Sequence, residues 1–118
     1  MQSFDTDSEK TINHPENQRL KIDIAKVADI SPGDVLLVEL PTGEKLAVYN
    51  VDGEFYATES ACPHRGASLA EGILCGHVIE CGLHGWQFDV RTGECLTVED
   101  RIRSYELVIE EGIVKLEI

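Results

Sequence analysis

The sequence predicts a small all-β domain, an antiparallel sandwich or barrel. Three observations lead there. From Leu20 onward, short alternating or β-branched runs recur between turn signals, the mark of many short strands. Two pairs of runs flank Asp52-Gly53 and Glu111-Gly112, and an acidic residue followed by glycine suits a two-residue hairpin turn. No stretch carries the 3.6-residue apolar period of a long amphipathic helix.

Taken in order, residues 1–19 are polar and without alternation, so they are expected to form a flexible arm ahead of a domain over 20–118. Leu20-Lys21-Ile22-Asp23-Ile24 alternates strictly, as a half-buried strand does. Ser31-Pro32-Gly33-Asp34 marks a turn into a β-rich run from Val35 to Leu40. Pro41-Thr42-Gly43 turns the chain into Lys45 to Val51, and Asp52-Gly53 joins that strand to Glu54-Phe55-Tyr56. Near the C-terminus, strands are expected over Tyr105 to Ile109 and Ile113 to Ile118. The middle breaks this rhythm. Between Glu59 and Thr97, with little strand alternation, lie all four cysteines, three of the four histidines and Trp86. Loops held by a rigid β scaffold are where binding chemistry concentrates.

Composition narrows the function. A chain of 118 residues fits one domain, and its hydrophobic share of 42% supports one modest core. Ten basic residues against 22 acidic ones leave a net charge of −12. That excludes the clustered Lys and Arg by which proteins bind nucleic acid or anionic membranes, and it suits a partner with a basic face. No apolar run approaches the roughly 18 residues of a membrane span, and the N-terminus has no signal-peptide h-region. The expectation is a cytoplasmic monomer. In that compartment cysteines serve as metal ligands or core residues rather than cystines.

Two segments carry the chemistry: Cys62-Pro63-His64-Arg65-Gly66 and Cys81-Gly82-Leu83-His84-Gly85-Trp86. Each supplies one thiol and one imidazole on a tight loop, and the nearby glycines let each loop turn sharply. Zinc modules usually use pairs of one kind, Cys with Cys and His with His. Mixed pairs suit a dinuclear iron–sulfur centre, with both thiolates on one iron and both imidazoles on the other. The neutral-ligand iron is then the electron-poor one, and replacing two anionic ligands by neutral ones raises the reduction potential. The candidate ligands of one [2Fe–2S] cluster are therefore Cys62, His64, Cys81 and His84.

These motifs, with Gln87-Phe88-Asp89 and Arg91-Thr92-Gly93-Glu94 downstream, resemble the Rieske signature and are similar to the ferredoxins of bacterial ring-hydroxylating dioxygenase systems. The resemblance covers the chain from about Leu20 on. It implies a Rieske domain with a cluster-binding loop subdomain, Cys62 and Cys81 on the inner iron, and His64 and His84 on the outer. It further implies a soluble carrier taking single electrons from a flavoprotein reductase to a terminal oxygenase, not itself an enzyme. Two departures from cytochrome bc-type relatives matter. Ala67 and Leu83 stand where those proteins carry a disulfide, and Trp86 and Phe88 stand where hydroxyls donate to the cluster sulfur. Fewer donors lower the potential, toward about −150 mV at the low end of the Rieske range.

Other readings stand beside this one: a small electron-transfer subunit of another reductase, such as a nitrite reductase, or a zinc-stabilised interaction module. Cys75 and Cys95 read as small buried hydrophobes, His77 as a turn or surface residue, His14 as part of the arm, and Trp86 as an aromatic lid over the loops. Arg65 reads either as a partner contact or as a solvated surface arginine. After His84 no histidine follows, so no 2-His-1-carboxylate iron triad can be built downstream, and no glycine-rich dinucleotide loop is present.

Overall fold

The computed structural model describes residues 20–63, 67–82 and 85–117; the arm of residues 1–19, with His14, lies outside them. Among the described residues the chain forms strands β1 (Lys21–Lys26), β2 (Val35–Glu39), β3 (Lys45–Val51), β4 (Glu54–Glu59), β5 (Ile73–Cys75), β6 (Val78–Glu80), β7 (Gln87–Asp89), β8 (Ser104–Tyr105), β9 (Leu107–Glu110) and β10 (Ile113–Glu117). Two short 3-10 turns, Val27–Asp29 and Leu69–Glu71, are the only helical segments there. All pairings are antiparallel, in three sheets ordered β1-β10-β9, β2-β3-β4-β8 and β5-β6-β7. This is the all-β architecture with a separate loop-bearing unit.

The hairpin signals hold. Asp52 and Gly53 take φ of 51° and 93°, and Glu111 and Gly112 take 53° and 79°. Positive φ at both central residues is what a type I′ turn needs to match the twist of its strands. The Asp52-Gly53 turn sets the β3–β4 register, with Val51 opposite Glu54 and Leu46 opposite Glu59.

β3 organises the molecule because both of its faces are covered. Leu46 and Val48 point to the β1-β10-β9 sheet, packing with Leu116 and Val114 respectively. Ala47, Tyr49 and Val51 point the other way, into a cluster shared with the loop-bearing unit. From Leu46 to Val51 every residue is buried, which explains why this run is nearly continuous in apolar residues. The polar exception, Asn50, donates to the Ile30 carbonyl at 2.7 Å and accepts from the Gly53 N–H at 2.7 Å, so its burial is compensated.

Two expectations are corrected. The single strand expected over Tyr105 to Ile109 is divided, because Tyr105 pairs with Ala57 in one sheet and Leu107 with Leu116 in the other. The chain changes sheets at Glu106, a corner move of packed sheets. The middle segment, where alternation was weak, nonetheless forms the β5-β6-β7 sheet, its strands being three residues each. Three residues are too few to display a period.

Candidate metal centre

Each cysteine of the two motifs sits at the base of a hairpin tip. In the first, the Leu69 N–H donates to the Ser60 carbonyl at 2.7 Å, Ala61 bridges Ser68, and the Cys62 N–H donates to the Ala67 carbonyl at 2.8 Å. The Ser68 hydroxyl then accepts the Ala70 N–H at 3.2 Å and starts the 3-10 turn that leads away. In the second, β6 and β7 run out to Cys81, whose N–H donates to the Trp86 carbonyl at 2.7 Å. Beyond it, Gly85 takes a φ of 68°, a conformation glycine adopts without steric cost.

Strand parity aims both sulfurs the same way. Ile79 and Phe88 are opposed and buried, so Cys81, two residues beyond Ile79, and Trp86, two before Phe88, continue the same inward face. Cys62, Ala67 and Leu69 share the inward face of the first hairpin. The thiols are 0% and 1% exposed, and both belong to the apolar cluster formed with Tyr49, Leu69, Ile79 and Phe88. Trp86 is half-buried against it.

Supports surround the pair. On the Tyr49 floor, the phenol shares a buried 2.8 Å hydrogen bond with the Thr58 hydroxyl, and burial, partly offset by that bond, pushes its pKa well above the ordinary tyrosine value. The Asp89 carboxylate accepts from the Arg91 N–H at 2.8 Å and from its guanidinium at 3.1 and 2.9 Å. That guanidinium holds the carboxyl below its ordinary range, and the Arg91 N–H adds to the effect. Gly93 takes a φ of 83°, and a Cβ there would stand 2.0 Å from the Ile102 carbonyl oxygen; the close approach lets the Ile102 N–H donate to Gly93 at 2.8 Å.

The remaining expected positions divide. Cys95 is buried, 6% exposed, as expected. Cys75 is exposed instead: Leu74 takes the inward face of edge strand β5, leaving Ile73 and Cys75 outward. His77 lies in the β5–β6 turn as expected, its ring edge-on to Tyr56 at 5.6 Å and 76°. His64, Arg65, Leu83 and His84 lie outside the described residues. Among the described residues no three His, Cys, Asp or Glu side chains converge, so the described part of the centre is the thiol pair.

That pair fits the inner side of a [2Fe–2S] cluster. Two soft sulfur donors come from separate backbone-closed tips into one dry cluster, and each tip also carries a histidine in its sequence. The sequence motifs did not point to Gly72, whose missing Cβ lets the first loop's exit lie against the Glu80 carbonyl; at a φ of −86° it has no turn signature to betray it.

Fold and site together define a class: a small β domain that presents two cysteine-based hairpin tips from one side of a sandwich. Residues 21–106 match the family model of the Rieske [2Fe-2S] domain, and the chain belongs to that family. It is 41% identical to the ferredoxin component of a naphthalene 1,2-dioxygenase system from Pseudomonas putida, over 82% of this chain and 94% of that protein. It is also 41% identical to the ferredoxin component of a p-cumate 2,3-dioxygenase system from the same species, over 76% of this chain and 79% of the other. Among solved structures, the Sphingomonas yanoikuyae B1 ferredoxin superposes with a TM-score of 0.78 at 36% identity, covering 84% of this chain and 99% of that one. The ferredoxin–oxygenase complex of carbazole 1,9a-dioxygenase contains a match with a TM-score of 0.77 at 36% identity, covering 85% and 94%. A nitrite reductase small subunit from Mycobacterium tuberculosis shares the fold at 20% identity, with a TM-score of 0.78 over 86% and 96% of the two chains.

Proposed function

We propose that this chain is the ferredoxin of a multicomponent oxygenase, carrying single electrons from a flavoprotein reductase to a terminal oxygenase. One observation carries the reading: two buried thiols at the bases of matched hairpin tips, each tip with one histidine in its sequence. The ferredoxin components among its relatives support it, as does the oxygenase partner in the carbazole complex.

A [2Fe–2S] cluster with two imidazole ligands supplies a one-electron store when bound. Cys62 and Cys81 would hold it from the core side, and His64 and His84 from the tips. The apolar cluster beneath excludes water from the thiolates. Phe88 and Trp86 offer the sulfurs no hydroxyl donor, which keeps the potential low, at about −150 mV. The domain over 20–118 does this work, with the arm of 1–19 outside it. We further infer that the chain acts as a cytoplasmic monomer and transforms no substrate itself; no helix among the described residues is long and apolar enough to cross a membrane.

The test is direct. Purified protein should be red-brown, with about two iron and two acid-labile sulfide per chain. Electron paramagnetic resonance of the reduced form should show a mixed-valence pair with nitrogen coupled to one iron. His84→Ala should abolish the colour, because ligand loss and loop folding are coupled. A colourless protein containing zinc would refute the proposal.

A further inference from the structure

Strand parity sends Glu80 outward while Cys81, the next residue, turns inward to the thiol pair. Across the sheet Glu80 opposes Ile73 on β5 and Gln87 on β7. The Cys81 N–H and Trp86 carbonyl close the hairpin one residue further on, at 2.7 Å. Gly85, two residues from Gln87, is the diagonal neighbour of Glu80 on the outward side. The Glu80 Oε2 lies 3.4 Å from where a Cβ on Gly85 would stand. The side chain therefore runs past the closing pair and ends beside the residue that follows His84 in the sequence.

The charge at this position is not cancelled nearby. Ile73 and Gln87 are uncharged, and among the described residues no cation pairs with Glu80. Glu80 is half-buried, so water and salt screen it less than a charge standing free in solvent. The electron that arrives from the reductase adds one negative charge to the cluster. A fixed negative charge beside the loop that carries His84 repels it and makes the reduced state costlier.

We propose that Glu80 is a potential-setting residue: its carboxylate, held against Gly85, biases the cluster toward the oxidised state and so makes the reduced carrier a stronger donor. The inference deepens the carrier reading above and rests on it. Glu80 acts through space, apart from ligation and apart from the missing hydroxyl donors at Trp86 and Phe88. The bare Gly85 backbone gives the carboxylate its place, because a side chain there would meet it.

The test is a redox titration of the holoprotein at low salt, with iron content and visible spectrum as checks on the site. Glu80→Gln keeps the shape and removes the charge, and should favour reduction about threefold, or roughly 30 mV upward for a one-electron couple. The difference should shrink near 1 M salt, where the screening length is about 3 Å. Glu80→Asp, which keeps the charge, should stay nearer wild type than Glu80→Gln does. Asp52→Asn removes the same charge from the β3–β4 turn, at the end of β3 away from the Lys45 carbonyl that accepts the Ser60 N–H, and should leave the potential at the wild-type value. Iron content and spectrum should be unchanged in all three. Equal potentials in Glu80→Gln and wild type would overturn the proposal, as would an equal shift in Asp52→Asn. Loss of iron from Glu80→Gln would make the carboxylate a support of the fold and overturn it too. Each of these leaves the carrier reading intact, whereas a wild-type protein without the cluster spectrum would overturn that reading and this inference with it.

Discussion

Replacing Gly72 by alanine tests whether the two tips are held in register by backbone contact. Gly72 closes the 3-10 turn after the first tip, its N–H donating to the Leu69 carbonyl at 3.0 Å. Its φ of −86° and ψ of −170° suit any residue, so alanine adds no backbone strain and the whole cost is steric. The new Cβ would stand 2.2 Å from the carbonyl oxygen of Glu80, the residue before Cys81, where ordinary contact begins at 3.4 Å. The two segments must part by the difference, about 1.2 Å. Overpacking of this kind costs roughly 1–3 kcal/mol. For a domain of this size that lowers Tm by roughly 5–20 °C. Because the displaced carbonyl leads into Cys81, cluster content should fall as well. Thermal unfolding by circular dichroism and iron per chain measure the two effects. Gly76→Ala is the control: its φ is 59° with nothing within 4 Å, so it should lose roughly 1 kcal/mol to left-handed strain and keep its cluster. Wild-type Tm and full iron in Gly72→Ala would refute the reasoning.

Three further outcomes follow from other parts of the molecule. Leu116→Ala, which empties a fully buried site opposite Ile22 and Leu107, should cost about 2–5 kcal/mol in urea unfolding, with the visible spectrum unchanged because β3 separates it from the thiols. Burial and the hydrogen bond donated to the Glu44 carboxylate raise the Tyr105 phenol from 10.0 to about 12. The unfolded chain therefore gives up that proton first, and stability falls as pH rises from 10.0 toward about 12; urea midpoints across that range should fall less steeply in Tyr105→Phe. Cys75→Ser should leave the optical spectrum unaltered, since Cys75 faces outward; bleaching would show that the wrong thiols have been assigned.

How much of this was legible in the sequence follows from where alternation had room to show. Lys45–Val51 and Glu54–Glu59 are seven and six residues long around an Asp-Gly turn, so β-rich composition and turn chemistry agreed and the strands were readable. Three-residue strands such as Val78–Glu80 offer one full period at most, and their pairing depends on long-range register. The division at Glu106 was hidden for a related reason: the local pattern on either side is strand-like, and only the two different partners, Ala57 and Leu116, separate β8 from β9. At the site, motif spacing singled out Cys62 and Cys81, and the structure buries both in one cluster. The exposure of Cys75 was not, because it depends on β5 being an edge strand with Leu74 as its inward residue.

Parity gives the centre its asymmetry. Ile79 points inward, so Glu80 points outward and Cys81 inward again, and the same count along β7 carries Phe88 and Trp86 to the core side. Shifting that count by one residue would exchange Cys81 with Glu80, leaving a carboxylate in the apolar cluster and a thiol in water. The register is guarded against such a slip by Phe88, which is fully buried and packs in one cluster with Tyr49 of β3. β3 in turn cannot move, because Leu46 and Val48 on its opposite face are locked into the sandwich core. The sandwich thus does more than carry the tips: through the two faces of one strand it fixes which side of each hairpin is dry, and with it which donors face inward.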